Sequence, residues 1–129
     1  VFYLDIKCND INCELYSKNI KILLNNYSSR FFYLASFCYK FIETFNFNLP
    51  YFKLGIIYDQ FNYNTLQIIK SKIQFVVVNS RKILVSDLQL ITGLEKFSYT
   101  INDIHLTKQL APYLDGIITD YPNFLHSII

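Results

Sequence analysis

The stretch Tyr99-Thr100-Ile101-Asn102-Asp103, followed at helix-length distance by Asp115-Gly116-Ile117-Ile118-Thr119-Asp120-Tyr121-Pro122, decides the fold of this chain. It reads as strand, helix, strand and polar strand end. Asn102 or Asp103 can cap the helix, because a short side-chain oxygen accepts one of the N–H groups that a first turn leaves unpaired. Leu106, Leu110 and Leu114 recur at helical spacing on one face. After the break at Pro112, Gly116-Ile117-Ile118 begins a short apolar strand, and Pro122 has no N–H with which to extend the pairing past Thr119-Asp120. Such a unit puts polar side chains at the carboxyl ends of parallel strands, where α/β folds place their sites.

The same alternation runs through the rest of the chain. Strand-like runs fall at 1–7, 31–37, 52–58, 73–78, 97–101 and 116–119, and helix-like runs at 11–24, 39–45 and 63–69. A further helix is expected to begin at Ser86, with Gln89 completing a capping box and Gly93 supplying a left-handed exit. Strand then helix, repeated with short connections, predicts right-handed βα units and a parallel sheet of six strands. The aliphatic run Val76-Val77-Val78 suits a strand covered on both faces. A six-stranded doubly wound sheet is the structural alternative, but it lacks the glycine-rich first turn of a nucleotide site, and with 3 glycines the chain has no phosphate-cradling loop. No linker, low-complexity tract or charge block divides residues 1–129, which are read as a single domain.

Composition narrows the classes of function. A barrel typically needs about 250 residues, or roughly 200 at the compact end, and this chain has 129 with no methionine, opening at Val1 inside an apparent strand. It is read as a fragment. Hydrophobic residues make up 52% and aromatics 18%, yet every apolar run is broken well short of the roughly 18 residues that span a bilayer, so a buried core is expected and no transmembrane segment. The net charge of +2 is scattered and gives no basic stripe for a phosphate backbone, which excludes nucleic acid as the expected partner. Cys8, Cys13 and Cys38 are odd in number and lack a Cys-x-x-Cys spacing, so they are read as free thiols in a reducing compartment. Localisation stays open.

These residues also resemble a family. A Thr-Ile-Asn strand end, a helix and then Asp-Gly-Ile-Ile-Thr-Asp-x-Pro is similar to the C-terminal signature of glycerophosphodiester phosphodiesterases. Phe2-Tyr3-Leu4-Asp5-Ile6-Lys7 resembles the family strand ending in an acidic residue, an aliphatic one and a lysine, and Ala35-Ser36-Phe37 resembles its Ser-Phe strand end. Pro50-Tyr51-Phe52-Lys53-Leu54-Gly55 and Val76-Val77-Val78-Asn79 follow in the family's order, so the likeness runs to about Phe124. The family's opening His-Arg strand, its Glu-x-Asp strand and its second catalytic histidine have no counterpart. The resemblance implies an incomplete (β/α)8 TIM-type barrel of about six parallel strands, the C-terminal portion of a barrel whose missing N-terminal strands are needed to close it. It implies metal-dependent hydrolysis of a small-molecule glycerophosphodiester to glycerol phosphate and an alcohol by the intact parent, in lipid metabolism. The alternatives are an inactive truncated barrel acting as a binding module or persisting as a remnant, and a related lysophospholipid phosphodiesterase.

Alternation puts Tyr3, Asp5 and Lys7 on one strand face and Phe2, Leu4 and Ile6 on the other. Read from the residues, Asp5 and Lys7 either serve a divalent metal and a phosphate or neutralise each other as an ion pair. The resemblance gives Asp5 the role of ligand to one divalent metal (Mg2+ or Ca2+) and Lys7 that of phosphate contact, with Asp5 standing where the family usually has Glu. Tyr99 stands where the family commonly has a tryptophan lining the glycerol end of the pocket, and is otherwise barrel filling. Ser36, Asn79, Asn102 and Asp120 lie at expected strand ends as possible rim or pocket residues, with helix capping the other reading for Asn79 and Asn102. Asp120 matches the closing motif and is read as rim support. His105 and His126 match no catalytic position, and a triad of Ser127, His126 and Asp120 has no nucleophile elbow behind it. No catalytic residue is therefore expected among these 129 residues.

Overall fold

In the computed structural model, residues 2–27, 31–45 and 52–123 are described. Val1, Pro50, Tyr51, Phe124, His126 and Ser127, which entered the sequence reading, lie outside the described residues. Strands β1 (Phe2–Asp5), β2 (Phe32–Ser36), β3 (Phe52–Tyr58), β4 (Phe75–Asn79), β5 (Glu95–Tyr99) and β6 (Gly116–Ile117) alternate with helices α1 (Cys13–Asn26), α2 (Tyr39–Thr44), α3 (Tyr63–Ile69), α4 (Val85–Leu90) and α5 (Ile104–Leu110). Single 3-10 turns extend α3 over Lys70–Lys72 and α5 over Ala111–Tyr113.

All five strand pairings are parallel, and the spatial order of the sheet is the order of the sequence. That order separates the two architectures. A doubly wound sheet reverses direction at a switch point, whereas strands laid down consecutively by right-handed crossovers keep curling one way. The six strands form a curled half-barrel, an incomplete TIM-type barrel.

The period of two assigns each strand's residues to two layers. Outward, Leu34, Leu54, Ile56, Val76 and Val78 pack beneath Ile20, Leu24, Phe41, Leu66 and Leu88 of the helices, with Leu4 and Ile6 against the same layer. Inward, Ala35, Ile57, Phe75 and Val77 are buried together with Tyr33, Phe97 and Tyr99 packed on them. The Phe75 ring lies 5.2 Å from Tyr33 and 5.6 Å from Phe97, both edge-on, the arrangement that the aromatic quadrupole favours. Gly55 makes room for it. A Cβ there would stand 2.4 Å from the Phe75 ring, so any side chain at this position displaces the aromatic group that fills the half-barrel.

Several element ends depart from the sequence reading. Strand β4 starts at Phe75 rather than Ile73, which is buried but lies in the turn before the sheet, and β5 covers Glu95–Tyr99 rather than 97–101. Ile101 is fully buried and its N–H donates to Ile118 O at 2.9 Å, outside the ladder, so an apolar connection had the look of a strand. The capping box at Ser86 and Gln89 is corrected: α4 begins at Val85, and the Asp87 carboxylate accepts the Leu84 N–H at 3.2 Å. Gly93 does adopt φ +75, but in the turn into β5, two residues beyond the Ile91 cap. Asp103 caps α5, its carboxylate accepting the Leu106 N–H at 2.7 Å.

Candidate active site at the carboxyl ends of the strands

Each strand delivers its last inward residue, or the first residues of its following loop, to one rim. Asp5 is the last residue of β1, on the inner face shared with Tyr3, whose ring lies 6.4 Å from Phe75. Lys7 follows two residues later, and its Nζ is 2.8 Å from Asp5 Oδ2 and 6.0 Å from the centre of the Phe37 ring. This pair is open to water, with 76% of the Lys7 side chain and 31% of that of Asp5 exposed. A bond so placed is worth little to folding, because solvent competes for both partners.

Tyr99 ends β5 on the same inner face. Its hydroxyl donates to Tyr58 O at 3.0 Å and its ring meets Phe37 edge-on at 6.1 Å. Burial, reinforced by the carboxylates of Asp59 and Asp5, pushes the Tyr99 phenol up to about 12. Tyr3 is shifted up by the same kinds of cause, burial first and then Asp5 and Tyr99. Asp5, Tyr99 and Tyr3 therefore feel one another electrostatically across the mouth. A neutral phenol there donates a hydrogen bond throughout the physiological range.

The other expected rim residues divide into two groups. Asn79, at the end of β4, donates from Nδ2 to Asp59 Oδ1 at 2.9 Å and accepts the Arg81 N–H at 3.0 Å. Asn102 donates to Asp120 Oδ2 at 2.9 Å, while its own carbonyl accepts from Thr119 Oγ1 and Asp120 N, each at 3.0 Å. These three hydrogen bonds clasp the end of β6 to the turn after β5, and the helix cap falls to Asp103 instead. Asn79, Arg81, Tyr99, Asn102 and Asp120 line a cleft of about 270 Å3 at the rim. Ser36 is not brought to it. Fully buried, Ser36 donates to Ile6 O at 2.8 Å and accepts the Cys38 N–H at 3.0 Å, which ties the ends of β1 and β2 together. His105 sits exposed on α5, in the outer helix layer.

Two rim residues escaped the sequence reading. Asp59 follows β3 directly and pairs with Lys82 of the loop after β4, Nζ to Oδ2 2.6 Å. That pairing, then the Asn79 amide, holds the Asp59 carboxyl below its ordinary value. The signal was available for Asp59 alone: it is the first charged residue after the apolar strand Phe52–Tyr58.

As for a metal, the rim offers Asp5, Asp59 and Asp120 as carboxylates, but they are not gathered on one point: among the described residues no group of three or more His, Cys, Asp or Glu could hold an ion. A hard divalent cation takes about six oxygen ligands. The residues described do not by themselves fit one.

The half-barrel superposes on solved phosphodiesterases over nearly its whole length. A phosphodiesterase from Oleispira antarctica, solved in complex with the product sn-glycerol-3-phosphate, matches with a TM-score of 0.84 at 18% identity, covering 97% of this chain and 53% of that one. This chain has the glycerophosphodiester phosphodiesterase fold. The Thermotoga maritima glycerophosphodiester phosphodiesterase matches with a TM-score of 0.74 at 18% identity over 98% of this chain and 57% of its own. That of Parabacteroides distasonis matches with 0.75 at 15% identity over 98% and 55%. The chain thus spans about half the length of the glycerophosphodiester phosphodiesterases it resembles. No family model matches the sequence, and no curated protein matches it. Among the described residues no helix is long and apolar enough to cross a membrane.

Proposed function

We propose that this half-barrel, read as one domain over residues 1–129, is the C-terminal part of the barrel of a phosphoric diester hydrolase that cleaves glycerophosphodiesters to glycerol phosphate and an alcohol, as a metal-dependent step of lipid metabolism. The observation that carries the proposal is the Asp5–Lys7 pair, presented on the inner face at the mouth of the phosphodiesterase fold. Lys7 loses little by exchanging the Asp5 carboxylate for phosphate oxygens, because its own side chain is 76% exposed and water already competes for the bond. An ammonium held there neutralises a phosphodiester and the charge that grows as the leaving alcohol departs. Tyr99 closes the opposite wall, its ring apolar toward a glycerol backbone and its hydroxyl engaged with Tyr58 O. Asn102 and Asp120 hold that wall in place through the β6 clasp.

Asp5 is proposed as one ligand of a divalent ion whose other ligands, like the general acid and base, lie outside the described residues. His105 is exposed in the first turn of α5, on the outer helix layer, and no group of metal-binding size is present among the described residues. The 129-residue chain is therefore expected to bind the phosphate-bearing half of the substrate without turning it over. Calorimetric titration with sn-glycerol 3-phosphate should show binding that Lys7→Ala weakens about tenfold or more, while glycerophosphocholine with added Mg2+ or Ca2+ is left intact. Equal affinity in the Lys7→Ala variant would overturn the role of Lys7. Metal-dependent turnover by the chain alone would overturn the placing of the acid and base.

A further inference from the structure

The three cysteines, scattered in sequence, converge on one corner of the half-barrel. Cys8 lies in the loop after β1, Cys13 opens α1 and Cys38 immediately precedes α2. Two side chains bind the corner together. Ser36 Oγ lies 4.0 Å from Cys8 Sγ and accepts the Cys38 N–H at 3.0 Å, while Asp10 accepts from Cys13 Sγ at its backbone oxygen and from Cys38 Sγ at Oδ1, each at 3.6 Å. The pairing of Asp5 with Ala35 runs on toward these two loops, so that the Ser36 hydroxyl stands between the Cys8 thiol and the Cys38 backbone. Both also line an open cleft of about 490 Å3 together with Asn9, Asp10, Phe37 and Tyr39. Cys13 is fully buried and takes no part in that lining.

We propose that Cys8 and Cys38 form an oxidisable dithiol that a hydroperoxide entering this cleft closes to a disulfide, with Cys13 held out of the reaction. One thiolate attacks the distal peroxide oxygen, becoming a sulfenic acid and releasing water or an alcohol. The second thiolate then attacks the sulfenic sulfur and expels hydroxide, which leaves as water. Two thiols and one peroxide thus yield one disulfide; each sulfur gives up one electron and the peroxide gains two. The bond would staple the loop carrying Lys7 to the start of α2, beside Phe37.

Burial, followed by the neighbouring Cys38 thiol, pushes the Cys8 thiol up to about 11. A high thiol pKa lowers the thiolate fraction, so the reaction is expected to be slow near neutrality and to rise roughly tenfold per pH unit above it. The same destabilised thiolate favours the disulfide once formed. This inference is independent of the phosphodiesterase reading.

The test is peroxide treatment of the native chain, followed by alkylation of remaining thiols and cleavage before Asp10, which separates Cys8 from Cys13. The expected result is a monomeric product with Cys8 joined to Cys38 and Cys13 alkylated; the same link forms at an unchanged rate in Cys13→Ser, while in Cys38→Ser it is absent and intramolecular thiol loss is at least about tenfold slower. A Cys13-containing disulfide, links only between chains, or no loss of thiols would overturn the proposal. Because Cys13→Ser preserves the reacting pair, a folding defect in the Cys38 variant does not blunt the test.

Discussion

Two lysine–carboxylate pairs line the same inner face, at opposite ends of the strands, and they differ in what they can do. At the amino ends, Lys53 bonds to Glu95 across β3 and β5, and Tyr33 of β2 donates to both Glu95 oxygens at 3.4 Å and stands 3.4 Å from Lys53 Nζ. Three strands are joined through one cluster, with each charged side chain about a third exposed. At the carboxyl ends, Lys7 and Asp5 sit two residues apart on one strand and its loop, and their ion pair links no second strand. The floor pair therefore contributes to cohesion, and the mouth pair leaves a cation available to a ligand. That division matches the separation of stability and chemistry between the two faces of β/α barrels.

The interior above the floor should show the largest response. Phe75 is fully buried among Tyr3, Tyr33 and Phe97, so Phe75→Ala is expected to cost about 3–5 kcal/mol in urea unfolding. A loss below about 1 kcal/mol would mean that the inner layer is not a packed core. Glu95→Ala should cost about 1 kcal/mol, a figure already discounted for the solvent that reaches the pair. Lys7→Ala should change stability by less than about 0.5 kcal/mol. If the two lysine pairs proved equal in unfolding experiments, the contrast between floor and mouth would fail.

The pH dependence sharpens the same comparison on its alkaline side. Lys53 is raised above 10.5, chiefly by the hydrogen bond to Glu95, and Tyr99 is raised from 10.0 to about 12, chiefly by burial. A group whose folded value is raised contributes stability fully below its unfolded pKa and loses it as pH climbs through the folded one. Both ends should therefore weaken together above about pH 10. Asp59 has the opposite sign: lowered from 3.8, chiefly by Lys82, it contributes above that value and loses its part as pH falls through the depressed one. Ultraviolet titration should find a group of late-ionising phenols, Tyr3 and Tyr99 among them, that is one fewer in Tyr99→Phe; a Tyr99 that titrates with the exposed tyrosines would contradict its buried setting.

Much of this was legible in the sequence, and the rest was hidden for physical reasons. Strand–helix alternation gave a parallel sheet, and the period of two put Tyr3 and Asp5 on one face of the first strand, because both are local properties of the backbone. Side-chain partnerships between distant segments are not local. Nothing near Asn102 announces that its amide will clasp Asp120, or that Asp59 will bond Lys82 across 23 positions. The cysteine corner was invisible for the same reason: thiols from two βα units meet only after β1 and β2 pair. Strand ends slipped where Ile73 and Ile101 are buried outside the ladder and where the polar Glu95 and Lys96 lie inside it.

The central claim is that the mouth lysine, not the floor lysine, receives the phosphate. Chemical-shift titration of the chain with sn-glycerol 3-phosphate, compared among wild type, Lys7→Ala and Lys53→Ala, tests it most directly. The account predicts saturable shifts at the carboxyl ends of the strands in wild type and Lys53→Ala, with affinity reduced about tenfold or more in Lys7→Ala. Binding retained in Lys7→Ala, or lost only in Lys53→Ala, would contradict it.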